Sequence, residues 1–231
     1  MRLTLPVTRV ASSTPRASLV TIDLDGHPFP FEAGQAVFVG LPDTTIRRPF
    51  SLASSPGRVA ETGQLELLVG HDVQGRVGGE LALAAGRHVD VEGPLGRFVF
   101  PAVPVERRVL FVAGGTGIAP LRAMWQQALT RPDTWVGVVY SVRTPDEFAC
   151  GEELRALAAS GRIVLRETVT RDAGVAWAGH RGRVDDTVLG PLVEDPATLC
   201  FVCGPPALVH DVPRQLVALG VARERVRIEQ W

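Results

Sequence analysis

The stretch Val109-Leu110-Phe111-Val112-Ala113-Gly114-Gly115-Thr116-Gly117-Ile118-Ala119-Pro120 decides the fold. Its five leading apolar residues predict a strand buried on both faces, as in a parallel sheet. The glycines that follow allow a sharp turn, and the proline sits in the first turn of a predicted helix. Such a turn lets the backbone approach a pyrophosphate closely, and the helix N-terminus adds N–H groups and a favourable dipole. Glycines alone would say little, because any tight strand-to-helix turn uses them. Strand, turn and helix in this order point to a phosphate-binding loop.

Working outward, the downstream chain repeats the same grammar. A helix carries Leu121, Met124, Trp125, Ala128 and Leu129 at helical spacing. Strands are predicted over 136–142, 163–167, 199–203 and 225–229, with helices over 147–159 and 207–219. Alternating strands and helices give a doubly wound parallel sheet of five strands, in the order 3-2-1-4-5. Ligands bind such sheets at the carboxyl ends of the strands where the order reverses. Cys203-Gly204-Pro205-Pro206 ends strand four, so it should face the Gly114 loop across one crevice. Taken alone, Cys203 reads as a small buried residue; facing the glycine loop, it becomes a wall of the site.

Upstream the style changes at Pro101-Ala102-Val103-Pro104, a proline-bracketed link that places the boundary between residues 1–103 and 104–231. Strands are predicted over 3–10, 18–24, 35–41, 50–54, 65–69 and 88–92, with one short helix over 79–85. Six short strands with little helix suggest a closed antiparallel β-barrel. Within it lies Arg47-Arg48-Pro49-Phe50-Ser51-Leu52-Ala53-Ser54-Ser55-Pro56. A guanidinium can grip a phosphate, an aromatic ring can pack on a planar ligand, and a hydroxyl can bond a ring nitrogen. By composition alone an ordinary strand with alternating side chains is the preferred reading of the segment.

Composition removes several chemistries. The 24 basic residues, all arginine, against 25 acidic ones leave a net charge of −1, without the basic excess of a nucleic-acid binder. Without lysine there is no Schiff base, no pyridoxal attachment and no P-loop lysine. Cys150, Cys200 and Cys203 are too few for an iron–sulfur centre and read as reduced thiols of a cytoplasmic protein. The five histidines show no metal-ligand spacing, so no metal is expected. The sequence contains no apolar run of membrane-spanning length, and its start lacks a secretory apolar region.

Six segments, in order, resemble the ferredoxin-NADP reductase-like family. Arg48-Pro49-Phe50-Ser51 resembles its Arg-x-Tyr-Ser flavin motif, and Gly93-Pro94-Leu95-Gly96-Arg97-Phe98 its Gly-Pro-x-Gly-x-Phe segment. The stretch 113–120 resembles its nicotinamide loop, and Tyr140-Ser141-Val142-Arg143-Thr144-Pro145-Asp146 its strand-two cofactor edge. Cys203-Gly204-Pro205-Pro206 resembles its Cys-Gly-Pro motif, and Arg227-Ile228-Glu229-Gln230-Trp231 its ending. The resemblance implies FAD and NAD(P)H as cofactors and a cleft in which nicotinamide and flavin meet. Arg48 would contact flavin phosphate, Pro49 and Phe50 would lie beside the ring, and Ser51 would bond near flavin N5. Val69, Gly75, Val77, Gly78 and Gly79 would complete the flavin side.

On the coenzyme side the resemblance implies Gly114, Gly115, Thr116, Gly117 and Pro120 for the pyrophosphate, and Cys203, Gly204, Pro205 and Glu229 for the nicotinamide. Ser51, Cys203 and Glu229 would be the catalytic set, and Trp231 would cover the flavin until nicotinamide enters. Arg143 and Arg171 would suit a 2′-phosphate, whereas Asp146 and Glu147 would suit an unphosphorylated ribose, which leaves NADH and NADPH both open. Two departures stand out. Phe50 replaces the usual tyrosine, and Gly75-Arg76-Val77-Gly78-Gly79-Glu80 lacks the hydroxyl that caps the pyrophosphate. N–H groups of Gly78, Gly79 and Glu80, with Arg76, would take its place. The expected partner is a separate electron acceptor, a ferredoxin or an oxygenase component. A reductase of free flavin is the alternative, and a non-catalytic electron-transfer subunit a more distant one.

Overall fold

The computed structural model describes residues 1–171 and 176–230. Contacts divide it into two units, one of 1–102 with 122–127, the other of 103–121 with 128–231.

The first unit holds β1 (Arg2–Thr14), β2 (Ala17–Asp23), β3 (Ala36–Gly40), β4 (Arg47–Ser51), helix α1 (Pro56–Thr62), β5 (Gln64–Gly70) and β6 (His88–Leu95). The sheet order is β4-β3-β6-β1-β2-β5, with every pairing antiparallel. An antiparallel bridge between Leu52 and Leu67 joins the two edges and closes the barrel. Alternation points Leu5, Val7, Val37, Val39, Val89 and Val91 inward to one core. Asp90 interrupts that apolar run, yet it is only 2% exposed. It accepts hydrogen bonds from Thr4 Oγ1 at 2.6 Å and Arg2 Nη2 at 2.5 Å, and Arg47 Nη2 stands 3.4 Å away.

Two expectations here are corrected. The helix predicted over 79–85 shrinks to a single 3₁₀ turn, Gly79–Leu81. Gly78 and Gly79 take positive φ of 71° and 61°, and Ala82 takes 43°, which an α-helix cannot accommodate. The unpredicted α1 is a capped turn of chain: Ser55 Oγ accepts from Arg58 N–H, Pro56 opens it, and Gly63 closes it at φ 69°.

The second unit holds β7 (Arg108–Gly114), α2 (Ile118–Ala128), β8 (Trp135–Val142), α3 (Gly151–Ala159), β9 (Val164–Val169), β10 (His180–Arg181), α4 (Asp186–Leu189), β11 (Leu199–Gly204), α5 (Pro206–Ala218) and β12 (Val226–Gln230). Its sheet runs β10-β9-β8-β7-β11-β12, all parallel. The five predicted strands stand in the predicted order 3-2-1-4-5. The two-residue β10 adds a sixth strand that sequence reading passed over, being too short to show a period. α3 starts later than predicted because Cys150 adopts a left-handed φ of 56° ahead of it. Among the described residues no helix is long and apolar enough to cross a membrane, and no cluster of metal-ligating side chains forms.

Candidate functional site

In the first unit, β4 carries the Arg-Pro-Phe-Ser segment, with Val39 opposite Arg48 and Ala36 opposite Ser51. Along β4, Arg48 is exposed, Phe50 is half-buried against the barrel core and Ser51 is buried. Ser51 is 6% exposed, and its Oγ has no hydrogen-bond partner among the described residues. A buried hydroxyl without a partner is costly, so such an atom marks a place where a ligand completes the structure. The donor and acceptor chemistry of Ser51 fits a flavin ring edge.

The Gly75–Glu80 stretch lies beside β4, because Arg48 Nη2 pairs with Glu80 Oε2 at 3.0 Å. Its backbone is arranged differently from expectation. The Gly78 N–H donates to Gly70 O at 3.0 Å, and the Gly79 N–H donates to Arg76 O at 3.1 Å. Arg76 Nε pairs with Asp72 Oδ2 at 2.7 Å. Two of the three amides expected to cap a phosphate are thus engaged by protein carbonyls, Gly78 by the end of β5 and Gly79 within the loop, and the arginine expected to assist is paired with Asp72. Asp72 is its organiser: Oδ1 accepts from the N–H groups of Gln74 and Arg76. Burial pushes the Asp72 carboxyl up, but these hydrogen bonds and Arg76 outweigh it and hold it below its ordinary value. The Asp-x-x-Gly spacing at Asp72 and Gly75 is a turn signature that sequence reading could have used. Gly75 turns the chain at φ 78°. Val69 is fully buried and Val77 packs on the same core, so both support the loop. Pro49 stands opposite Phe38 and is exposed.

In the second unit the glycine loop is a 3₁₀ turn, Gly115–Gly117, between β7 and α2. Gly115 and Thr116 are exposed, Gly117 is buried, and Pro120 lies in the first turn of α2. β11 pairs directly with β7, aligning Cys203 with Ala113, and β12 pairs with β11, aligning Glu229 with Cys203. A Cβ on Gly117 would stand 2.4 Å from Cys203 O, and one on Gly114 would stand 2.6 Å from Pro205 Cδ. The predicted meeting of the two loops is therefore a backbone contact that only glycine permits. Cys203 is fully buried and Glu229 half-buried. At the neighbouring strand ends, the Arg171 N–H donates to Arg143 O at 2.9 Å, so the two arginines lie side by side and exposed. The Arg143 N–H points to Glu147 Oε2 at 3.4 Å. Trp231, and Asp172 after Arg171, lie outside the described residues.

Sequence reading gave no role to the Tyr140 hydroxyl, which donates to Gly115 O at 3.0 Å from inside the sheet. The strand pattern showed Tyr140 as buried but could not show where its hydroxyl points.

Comparison with known proteins agrees with this arrangement. Residues 4–100 match the oxidoreductase FAD-binding domain and residues 111–214 the oxidoreductase NAD-binding domain. The two units are thus those of an FAD- and NAD(P)-dependent oxidoreductase. Ferredoxin–NADP reductase B of Sorangium cellulosum is 35% identical over 224 residues, covering 90% of this chain and 88% of that protein. The chain belongs to the ferredoxin-NADP reductase family. The ferredoxin–NAD(+) reductase component of the alkene monooxygenase system of Xanthobacter autotrophicus is 32% identical, over 85% of this chain and 60% of the relative. Among solved structures, a cytochrome P450 reductase of Amycolatopsis superposes over 100% of this chain and 69% of its own, with a TM-score of 0.87 and 26% identity.

Proposed function

We propose that this chain is an NAD(P)H-dependent reductase that holds FAD on its barrel unit, residues 1–103, and the nicotinamide coenzyme on residues 104–231, and passes electrons to a separate carrier. The carrier class is a ferredoxin or the metal-containing component of an oxygenase. The observation that carries the reading is the buried, unpartnered Ser51 Oγ on β4, on the same strand as the exposed Arg48. When bound, FAD accepts two electrons from the nicotinamide and releases them one at a time. The chain's own contribution is placement. Ser51 hydrogen-bonds the reactive ring edge, Phe50 flanks the ring, and Arg48 exchanges its Glu80 partner for a flavin phosphate. The Gly114–Gly117 turn takes the coenzyme pyrophosphate, and Cys203 and Glu229 line the nicotinamide side.

The similarity to a ferredoxin–NADP reductase and to an alkene monooxygenase reductase component supports the carrier class. The purified protein is expected to be yellow, to contain FAD, and to bleach anaerobically with NADH or NADPH. A protein that is colourless and takes up no FAD would overturn the proposal.

One observation favours a second reading, a reductase of free flavin. The Gly78 and Gly79 amides already donate to the carbonyls of Gly70 and Arg76, which leaves fewer groups for an FAD pyrophosphate. On that reading the protein purifies without flavin and its rate saturates with added FMN or riboflavin.

A further inference from the structure

Tyr140 is the only tyrosine of the chain. It lies on β8, fully buried, with Ala113 of β7 on one side and Glu167 of β9 on the other. Its hydroxyl donates to Gly115 O at 3.0 Å and accepts from the Ala149 N–H at 3.2 Å. Phe148 holds the ring edge-on at 5.2 Å between centroids, and Trp177 stacks on Phe148 at 5.4 Å. The ring has no room to swing, so the hydroxyl's direction is set by packing.

Its acceptor is an unusual one. The Gly115 carbonyl already receives the Ile118 N–H, which closes the 3₁₀ turn. Folding the turn therefore does not need the tyrosine; the hydroxyl adds a tether from the turn to the sheet beneath. Gly115 sits at φ 54° with open space where a Cβ would be. No side chain at that position steadies the peptide.

We propose that Tyr140 is a positioning residue for coenzyme binding: by holding the Gly115 carbonyl down onto the sheet, it turns the Thr116 N–H outward to the coenzyme pyrophosphate. The link is the planar trans peptide, in which the C=O of Gly115 and the N–H of Thr116 point in opposite directions. A carbonyl pulled inward makes an amide directed outward. The exposed Thr116 then presents that donor at the start of α2, where the helix dipole favours an anion. Burial pushes the Tyr140 phenol well above its ordinary value, so it remains a donor throughout the working pH range. The inference rests on the coenzyme occupying the Gly114–Gly117 turn.

Tyr140→Phe keeps the ring and removes the tether. The dissociation constant of the oxidised protein for its preferred coenzyme should rise about tenfold, the worth of one net hydrogen bond held in the right direction. Amide exchange at Thr116 and Gly117 should quicken, and flavin content should be unchanged. Val188→Ala, in the core of the same unit, serves as the stability control and should leave coenzyme affinity within about twofold, since it removes packing but no ligand contact. Wild-type affinity in Tyr140→Phe, or equal weakening in Val188→Ala, would overturn the proposal.

Because there is one tyrosine, biosynthetic fluorotyrosine labels this position alone. Its fluorine resonance should move on titration with coenzyme, at the concentration that fills the site. A resonance unmoved at saturation would also overturn the proposal, whether or not the phenylalanine variant folds. If the wild-type protein bound neither NADH nor NADPH, the functional reading itself would fail, which is a separate outcome.

Discussion

Ser51→Ala should have opposite effects on the protein without flavin and the protein with it. Ser51 is 6% exposed and its Oγ has no partner among the described residues. A hydroxyl buried in that way costs roughly 1–3 kcal/mol. Alanine fills nearly the same space in the β4 position and removes the cost. The flavin-free variant should therefore be more stable by about 1 kcal/mol, which in a barrel of this size raises its melting temperature by roughly 4–8 °C. In the flavin-loaded protein the hydroxyl is a ligand to the reactive ring edge, and its loss should slow flavin reduction by about tenfold or more. Differential scanning calorimetry on flavin-stripped protein reads the first effect. Anaerobic stopped-flow bleaching of the flavin by saturating NADH or NADPH reads the second. A stripped variant that melts below wild type would show that Ser51 Oγ is satisfied by the protein itself. An unchanged bleaching rate would remove Ser51 from the reacting edge.

Gly117→Ala places a methyl 2.4 Å from Cys203 O and 2.6 Å from its carbonyl carbon. Backbone cannot yield there as a side chain can, so the variant should lose about 1–3 kcal/mol, seen as earlier melting, and a higher KM for coenzyme with unchanged FAD content. Asp90→Asn tests the acid limb. Burial pushes the Asp90 carboxyl up, but the Thr4 hydroxyl, Arg2 and then Arg47 more than reverse this and hold it below the ordinary 3.8. A depressed carboxylate contributes stability that is fully present above pH 3.8 and is lost as the pH falls through the lower folded value. The substituted amide cannot titrate, so the variant should melt lower at neutral pH and show a flatter fall below pH 3.8; an identical acid limb would assign acid unfolding to other carboxylates.

The parts of the structure legible in the sequence were those that a periodic pattern or a fixed turn chemistry controls. Short apolar runs such as 109–113 and 199–203, each ending in a glycine turn, read as central parallel strands, and they stand where expected. The pairing of β7 with β11 followed from the order reversal, and it brought Gly117 against Cys203. The misreadings fall where backbone conformation departs from pattern. The residues after Gly79 look helical by composition, but consecutive positive φ angles at Gly78 and Gly79 reduce them to one turn. The same two glycines looked like phosphate donors, because a sequence names amides without showing which carbonyl each amide meets. Asp72 closes the turn ahead of them through the Gln74 and Arg76 amides, from a position that looks like ordinary surface charge.

The two loops assigned to the cofactors are built on a shared rule. Each is a glycine-rich turn whose backbone is steered by one side chain beneath or beside it: Asp72 for the Gly75–Glu80 stretch, Tyr140 for Gly115–Gly117. Without lysine, this chain has arginine, hydroxyl and backbone N–H groups for phosphate. Backbone donors bind well only when their direction is set in advance, because each amide that must be reoriented on binding weakens the complex by the cost of ordering it. A buried tyrosine is well suited to that task, since its ring is locked by packing and its hydroxyl stays protonated. An aspartate at the surface is suited to the other loop, since it accepts several amides at once and closes a turn without a core around it. In the Asp72 loop the Gly78 and Gly79 amides already donate to the carbonyls of Gly70 and Arg76, whereas the Tyr140 tether takes a carbonyl and leaves the amide beyond it directed outward. On this argument the coenzyme loop is the better prepared anion site, and flavin affinity depends more on Arg48 and Ser51 than on the loop beside them.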